Sequence, residues 1–161
     1  MSDVRRLDAV SVFNAKLTFL IPHEWIQVEE ADEGTHLYQA PDAQSGWFRV
    51  SLITKNDVVC PAEQLRELFS EYANVEVNER TGNLIRRSEK DTIEEGVRLH
   101  IYYWFVGGCV LPNIVREAVF SYTVLADVAD KEETQSEVKF LGQLVREARF
   151  GASTPNRPSV S

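Results

Sequence analysis

The chain has 161 residues and a formal charge of −8, from 25 acidic against 17 basic residues. A chain of this length buries roughly 70% of the surface its unfolded form exposes, so one domain folds without needing a disulfide or a metal. The acidic balance argues against nucleic acid and anionic membranes as partners, because affinity for both rests on Lys and Arg.

Residues 1–8 are polar and read as loose. Val10 to Ile21 is rich in β-formers, with Val12, Leu17, Phe19 and Ile21 near a period of two, and Pro22 ends the run because proline cannot donate to a sheet ladder. Trp25, Ile26 and Val28 begin a second strand. Residues 29–34 read as an acidic turn closed by Gly34. Thr35 to Ala40 is a third strand, Pro41 to Gly46 is turn chemistry, and Trp47 to Thr54 is a fourth strand.

A helix starts at Pro61, where the missing N–H is harmless. Leu65, Leu68, Phe69 and Tyr72 follow at helical spacing, and Asn74 is the stop. A short strand near Val75 to Val77 precedes one from about Asn83 to Lys90. Glu94-Glu95-Gly96 is a hairpin turn. Val97 to Val106 alternates, with Val97, Leu99, Ile101, Tyr103 and Phe105 on one face and Arg98, His100, Tyr102 and Trp104 on the other. Gly107-Gly108 and Pro112 are expected to break the run until Ile114, from which a strand continues to Ala126.

The second helix is expected over Lys131 to Phe150. Asp130 and Glu133 have capping-box spacing, and Val138, Leu141, Leu144, Val145 and Ala148 form its apolar stripe. Residues 151–161 read as a disordered tail. The sum is an α+β domain over 1–150, with an antiparallel sheet of about six or seven strands packed with two main helices.

The segment Leu17 to Trp25, Leu-Thr-Phe-Leu-Ile-Pro-His-Glu-Trp, resembles the opening of the PsbP-like superfamily. Members often begin with a strand reading roughly Phe-x-Ile-Pro-x-Gly-Trp and close with a long helix over an antiparallel sheet. Phe19, Pro22 and Trp25 carry the match. Glu24 stands where the family usually has Gly, and Phe19 lies three residues before Pro22 rather than two. The superfamily includes an extrinsic photosystem II subunit, a nuclear-import factor that binds the GTPase Ran, and bacterial adaptor chaperones of type VI secretion. The resemblance implies the fold, which does not by itself imply a function.

Candidate chemistry is sparse. His23-Glu24 begins like a zinc-protease HExxH, but Gln27 stands where the second histidine belongs. Cys60 and Cys109 show no CxxC spacing, and two reduced, buried thiols are the leading reading. A Cys–His pair drawn from these thiols and His23, His36 or His100 needs a distance that spacing does not supply. Phosphate-loop, nucleophile-elbow, dinucleotide and calcium-loop motifs are absent, and no cofactor is implied.

The face to test is Arg98, His100, Tyr102 and Trp104, because Trp, Tyr and Arg are enriched at binding hot spots. If both helices cover the Leu99/Ile101 face, these four meet solvent or a partner; otherwise a helix covers them. The leading expectation is a non-catalytic adaptor or chaperone-like protein binding a protein partner. It is expected in the cytoplasm, in a secretion-associated setting, without nucleic acid or membrane insertion, because no signal peptide or spanning segment is seen. The alternatives are a small hydrolase using Cys109 or a histidine, and a homodimeric structural protein.

Overall fold

Two antiparallel sheets and two helices account for the regular structure in the computed structural model, which describes residues 5–28, 34–41 and 46–151. In chain order these are β1 (Leu7–Val12), β2 (Leu17–Pro22), β3 (Ile26–Val28), β4 (Thr35–Gln39), β5 (Trp47–Lys55), α1 (Pro61–Phe69), β6 (Glu76–Val77), β7 (Leu84–Glu94), β8 (Val97–Val110), β9 (Ile114–Leu125), a 3-10 turn (Ala126–Val128), α2 (Glu132–Arg146) and β10 (Arg149–Phe150). The larger sheet has the order β3-β4-β5-β9-β8-β7-β6, and the smaller β1-β2-β10. This is the expected α+β class. The acidic stretch 29–33, most of the 41–46 turn and the tail beyond Gly151 lie outside the described residues.

Strand alternation decides the layering. On one face of the large sheet Phe48, Val50, Tyr102, Trp104, Val106, Phe120 and Tyr122 are buried, and both α2 and the small sheet pack there. Phe19 of β2 meets Tyr38 at 5.8 Å and Phe120 at 5.5 Å between ring centroids, both edge-on, while Trp25 stacks on Tyr122 at 6.3 Å. Such pairs add to area burial by about 0.5–1.5 kcal/mol each. Two residues of the PsbP-like signature, Phe19 and Trp25, therefore sit in the aromatic centre of the core.

Four expectations need correction. The run Val10 to Ile21 is a hairpin, beginning at Leu7, because Phe13, Asn14 and Ala15 all take left-handed backbone angles (φ 55°, 58° and 66°). No Gly or Pro announces that turn. Gly107-Gly108 does not end β8. Instead it thins the strand where both faces are crowded. A Cβ on Gly107 would lie 2.6 Å from Phe69 of α1, and one on Gly108 would lie 2.7 Å from Phe150 of β10.

The helix expected to reach Phe150 stops at Arg146, because Arg149 and Phe150 pair with Thr18 and Leu17 of β2. Tertiary pairing overrides the local helical pattern there. At the other end Lys131 is the N-cap and no side chain caps it, so the Asp130–Glu133 capping box does not form.

Two buried asparagines in the turn between β6 and β7 hold the end of α2. Asn78 donates its side-chain amide to the carbonyl of Arg146 at 2.6 Å, and Asn83 donates to the carbonyl of Ala148 at 3.2 Å. Helix C-termini leave carbonyls without intrahelical partners, and buried ones need a donor. Ion pairs Arg146–Glu76 and Arg80–Glu147 flank the clamp.

Candidate functional site

The two helices lie on opposite faces of the large sheet. Helix α2 buries Val138, Leu141, Leu144 and Val145 over the Tyr102/Trp104 face. Helix α1 seats Leu65 and Phe69 on the opposite face, around Gly107 and Val115, with Phe105 beside them. Arg86 is sandwiched there between Tyr72 at 3.5 Å and Phe105 at 4.1 Å from the ring centroids. Such cation–π contacts fasten the chain leaving α1 to the sheet.

This arrangement redistributes the four residues expected to meet a partner. Tyr102 and Trp104 are 1% and 3% exposed and belong to the core beneath α2. The condition for their exposure, both helices on the Leu99/Ile101 face, does not hold. Tyr102 uses its hydroxyl internally, donating to the carbonyl of Ala129 at 3.4 Å and accepting from Gln135 at 3.1 Å. Arg98 is exposed at the edge of the same face.

His100 is partly covered and lies between two carboxylates of β7, Asp91 at 2.6 Å and Glu89 at 2.9 Å. Burial works against its charged form. The hydrogen bonds and charges of Asp91 and Glu89 outweigh that and raise its pKa above the ordinary imidazole value.

The face that stays open is the odd-numbered one. Away from α1, this face carries exposed Trp47 of β5 and Leu125 of β9, half-buried Leu37 of β4 and Tyr103 of β8, and buried Leu99 and Ile101 of β8. These residues line a depression of about 850 Å³, rimmed by Glu94, Glu95 and Arg49. Trp47 is 36% and Leu125 46% exposed, a large exposure for apolar side chains on one continuous surface. The sequence carried a signal for this. Both alternating series of β8 carry large aromatic or aliphatic side chains, so one had to meet something other than the α2 core.

Thiol chemistry is not assembled. Cys60 is exposed rather than buried, and Cys109 is half-buried against the Leu65, Phe69 and Val115 cluster; both are free. Burial pushes the Cys109 thiol up, and the Arg66 charge opposes this only in part, which disfavours the thiolate that a nucleophile requires. His23 is engaged by Asp8, and His36 by Gln27. Among the described residues no group of three or more His, Cys, Asp or Glu side chains is placed to hold a metal. No helix there is long and apolar enough to cross a membrane.

One buried charge stands apart. Arg116 is 1% exposed, donates to the Thr54 hydroxyl at 3.1 Å, and has an Nε without a partner among the described residues. Burial lowers its pKa from the ordinary guanidinium value.

No protein-family model and no curated protein matches the chain by sequence. Solved structures match in shape. LpqN of Mycobacterium tuberculosis, described as involved in cell envelope biogenesis, superposes with a TM-score of 0.54 at 11% identity, covering 91% of each chain. The Ran-binding protein Mog1p of Saccharomyces cerevisiae gives 0.51 at 10% identity, covering 91% of this chain and 96% of its own. The fold is the one shared with LpqN and Mog1p. A Bacteroides thetaiotaomicron protein gives 0.57 at 21% identity over 89% of this chain, which spans only 48% of that protein's length. At these identities the likeness establishes architecture, and function has to be argued from surfaces.

Proposed function

We infer that this PsbP-like chain is a non-catalytic protein-binding adaptor or chaperone that holds an amphipathic segment of a partner protein on the open sheet face. The observation that carries this reading is the exposed pair Trp47 and Leu125, which with half-buried Tyr103 surrounds a depression floored by buried Leu99 and Ile101, opposite the face that α2 closes. Rigid aromatic and aliphatic anchors ringed by charge are the composition of a binding hot spot. A Ran-binding neighbour with the same fold supports a binding role for the architecture. The finer form, a secretion-associated chaperone acting in the cytoplasm, rests on the family resemblance and on the sequence grounds given above.

Site-specific photocrosslinking in the native cell tests the proposal. A photoreactive side chain at Leu125 is expected to give a discrete adduct with a partner protein. The same group at Val59, exposed but remote from the depression, is expected to give none. Trp47→Asp should abolish the Leu125 adduct. Equal labelling at both positions, or none at Leu125, overturns the reading. An adduct twice the mass of the chain would instead assign the face to self-association.

A further inference from the structure

Strand β7 is paired along its full length on one side only. Leu84 to Glu94 face Gly107 to Val97 of β8. On the other side β6 supplies just Glu76 and Val77, opposite Ile85 and Leu84. Before Glu76 the chain leaves the edge through Asn74, whose φ of 61° turns it away. From Arg86 to Glu94 the outer edge has no partner strand among the described residues.

The hairpin at Glu95-Gly96 fixes which backbone groups are unspent. Both residues have positive φ (52° and 81°), the signature of a two-residue type I′ turn. Such a turn is closed by a pair exchanging two hydrogen bonds, here Glu94 and Val97. Alternation along the unbroken register then directs the backbone of Thr92, Lys90, Ser88 and Arg86 toward β8. The N–H and C=O groups of Ile93, Asp91, Glu89 and Arg87 point outward. Ile85 continues that outward series and is the residue facing Glu76 of β6, as the alternation requires.

The outward residues carry their side chains on the α2 face, beside a groove of about 950 Å³ between β7 and α2. Ile85, Trp104 and Val138 line it. Gly142 keeps its wall thin, because a Cβ there would come within 3.2 Å of Trp104 Nε1. The Trp104 indole N–H makes no hydrogen bond among the described residues.

We propose that the β7 edge binds an extended, basic segment of another protein as an added antiparallel strand. Its backbone pairs with Arg87, Glu89, Asp91 and Ile93, and one apolar side chain enters the groove over Trp104. Strand addition takes affinity from backbone hydrogen bonds and specificity from alternate side chains. Asp91 and Glu89 each meet His100, and Glu89 also meets Arg87, yet both carboxylates remain substantially exposed, and opposite them the segment presents two cations. Opposite Arg87 it presents the apolar anchor, giving the order basic-x-basic-x-apolar from N to C.

A second copy of this chain fits the edge poorly. Antiparallel pairing centred on Glu89, Lys90 or Asp91 would set Glu89 on Glu89, Glu89 on Asp91, or Asp91 on Asp91. Like charges directly opposite are destabilising and are a common guard on sheet edges. This edge is separate from the open face, so substitutions at Leu125 leave the proposed contact intact.

The probe is the blocked peptide Val-Thr-Lys-Glu-Lys-Thr-Leu, titrated into the full-length, isotope-labelled chain. Binding is expected to slow hydrogen exchange at the amides of Arg87, Glu89, Asp91 and Ile93. Those of Ser88 and Lys90, already bonded to β8, should not change. Asp91→Pro removes one outward N–H without touching the β8 ladder and should weaken binding about tenfold or more, while Asp91→Asn should weaken it less.

A second arm needs no protein variant. N-methylation of the second lysine of the peptide, whose N–H points at Glu89, should abolish binding, and N-methylation of the neighbouring glutamate should not. Failure of the peptide to bind, binding without protection of the four outward amides, or equal binding of the charge-reversed peptide Val-Thr-Glu-Lys-Glu-Thr-Leu each overturns the proposal.

Discussion

Asn78 and Arg146 lie 68 residues apart in sequence and are joined by one partly buried hydrogen bond of 2.6 Å, from the asparagine side-chain amide to the last carbonyl of α2. The bond ties the short β6–β7 hairpin to the end of α2. It closes over the helix end and supplies the donor that the helix cannot.

Asn78→Ala removes that donor and leaves a partly buried carbonyl without this partner. The expected loss is about 1–3 kcal/mol, read as a lower midpoint in urea denaturation. Hydrogen exchange should quicken first in the last turn of α2.

Trp104→Ala is a core deletion rather than a surface trim. With the side chain 3% exposed under α2, the variant should lose about 3–5 kcal/mol by transfer and cavity terms. A variant with unchanged stability would show that α2 does not cover this ring.

The His100 cluster makes stability depend on pH. Its folded pKa is raised by Asp91 and Glu89 against the effect of burial. The stabilisation is therefore full below the free imidazole value of about 6.5 and fades as pH rises through the folded value. The carboxylate partners are largely exposed, which limits the effect to less than about 1 kcal/mol. Comparing the chain with His100→Asn by urea denaturation should give a larger difference near pH 6 than above pH 8.

Arg116→Met is expected to stabilise. Among the described residues the buried guanidinium has one hydroxyl partner and no carboxylate, so its desolvation is poorly offset. A methionine of similar length keeps the packing, and a gain of about 1 kcal/mol or more in unfolding free energy is the anticipated result.

Much of this architecture was legible from residue order. The period of two from Trp47 to Thr54, the hairpin signal at Glu94-Glu95-Gly96, Pro61 at a helix start and the stripe Val138, Leu141, Leu144, Val145 all locate elements that form. These signals are local, set by backbone propensity and by the spacing of apolar side chains. The Phe19-Pro22-Trp25 signature was legible for a related reason: Phe19 and Trp25 are the rings that the core is built around.

The sequence by itself determined which residues share a face of β8, since alternation is a property of the extended chain. Only the tertiary structure decided which face α2 would cover. The series His100, Tyr102, Trp104 and the series Leu99, Ile101, Tyr103 are both apolar enough to be buried, and strand periodicity is symmetric between them. The choice came from long-range packing. Phe19 and Trp25 on one layer and the stripe of α2 on another had to meet the same side of the sheet, which placed Trp104 inside and left Leu99 and Ile101 on the opposite face, beside exposed Trp47 and Leu125.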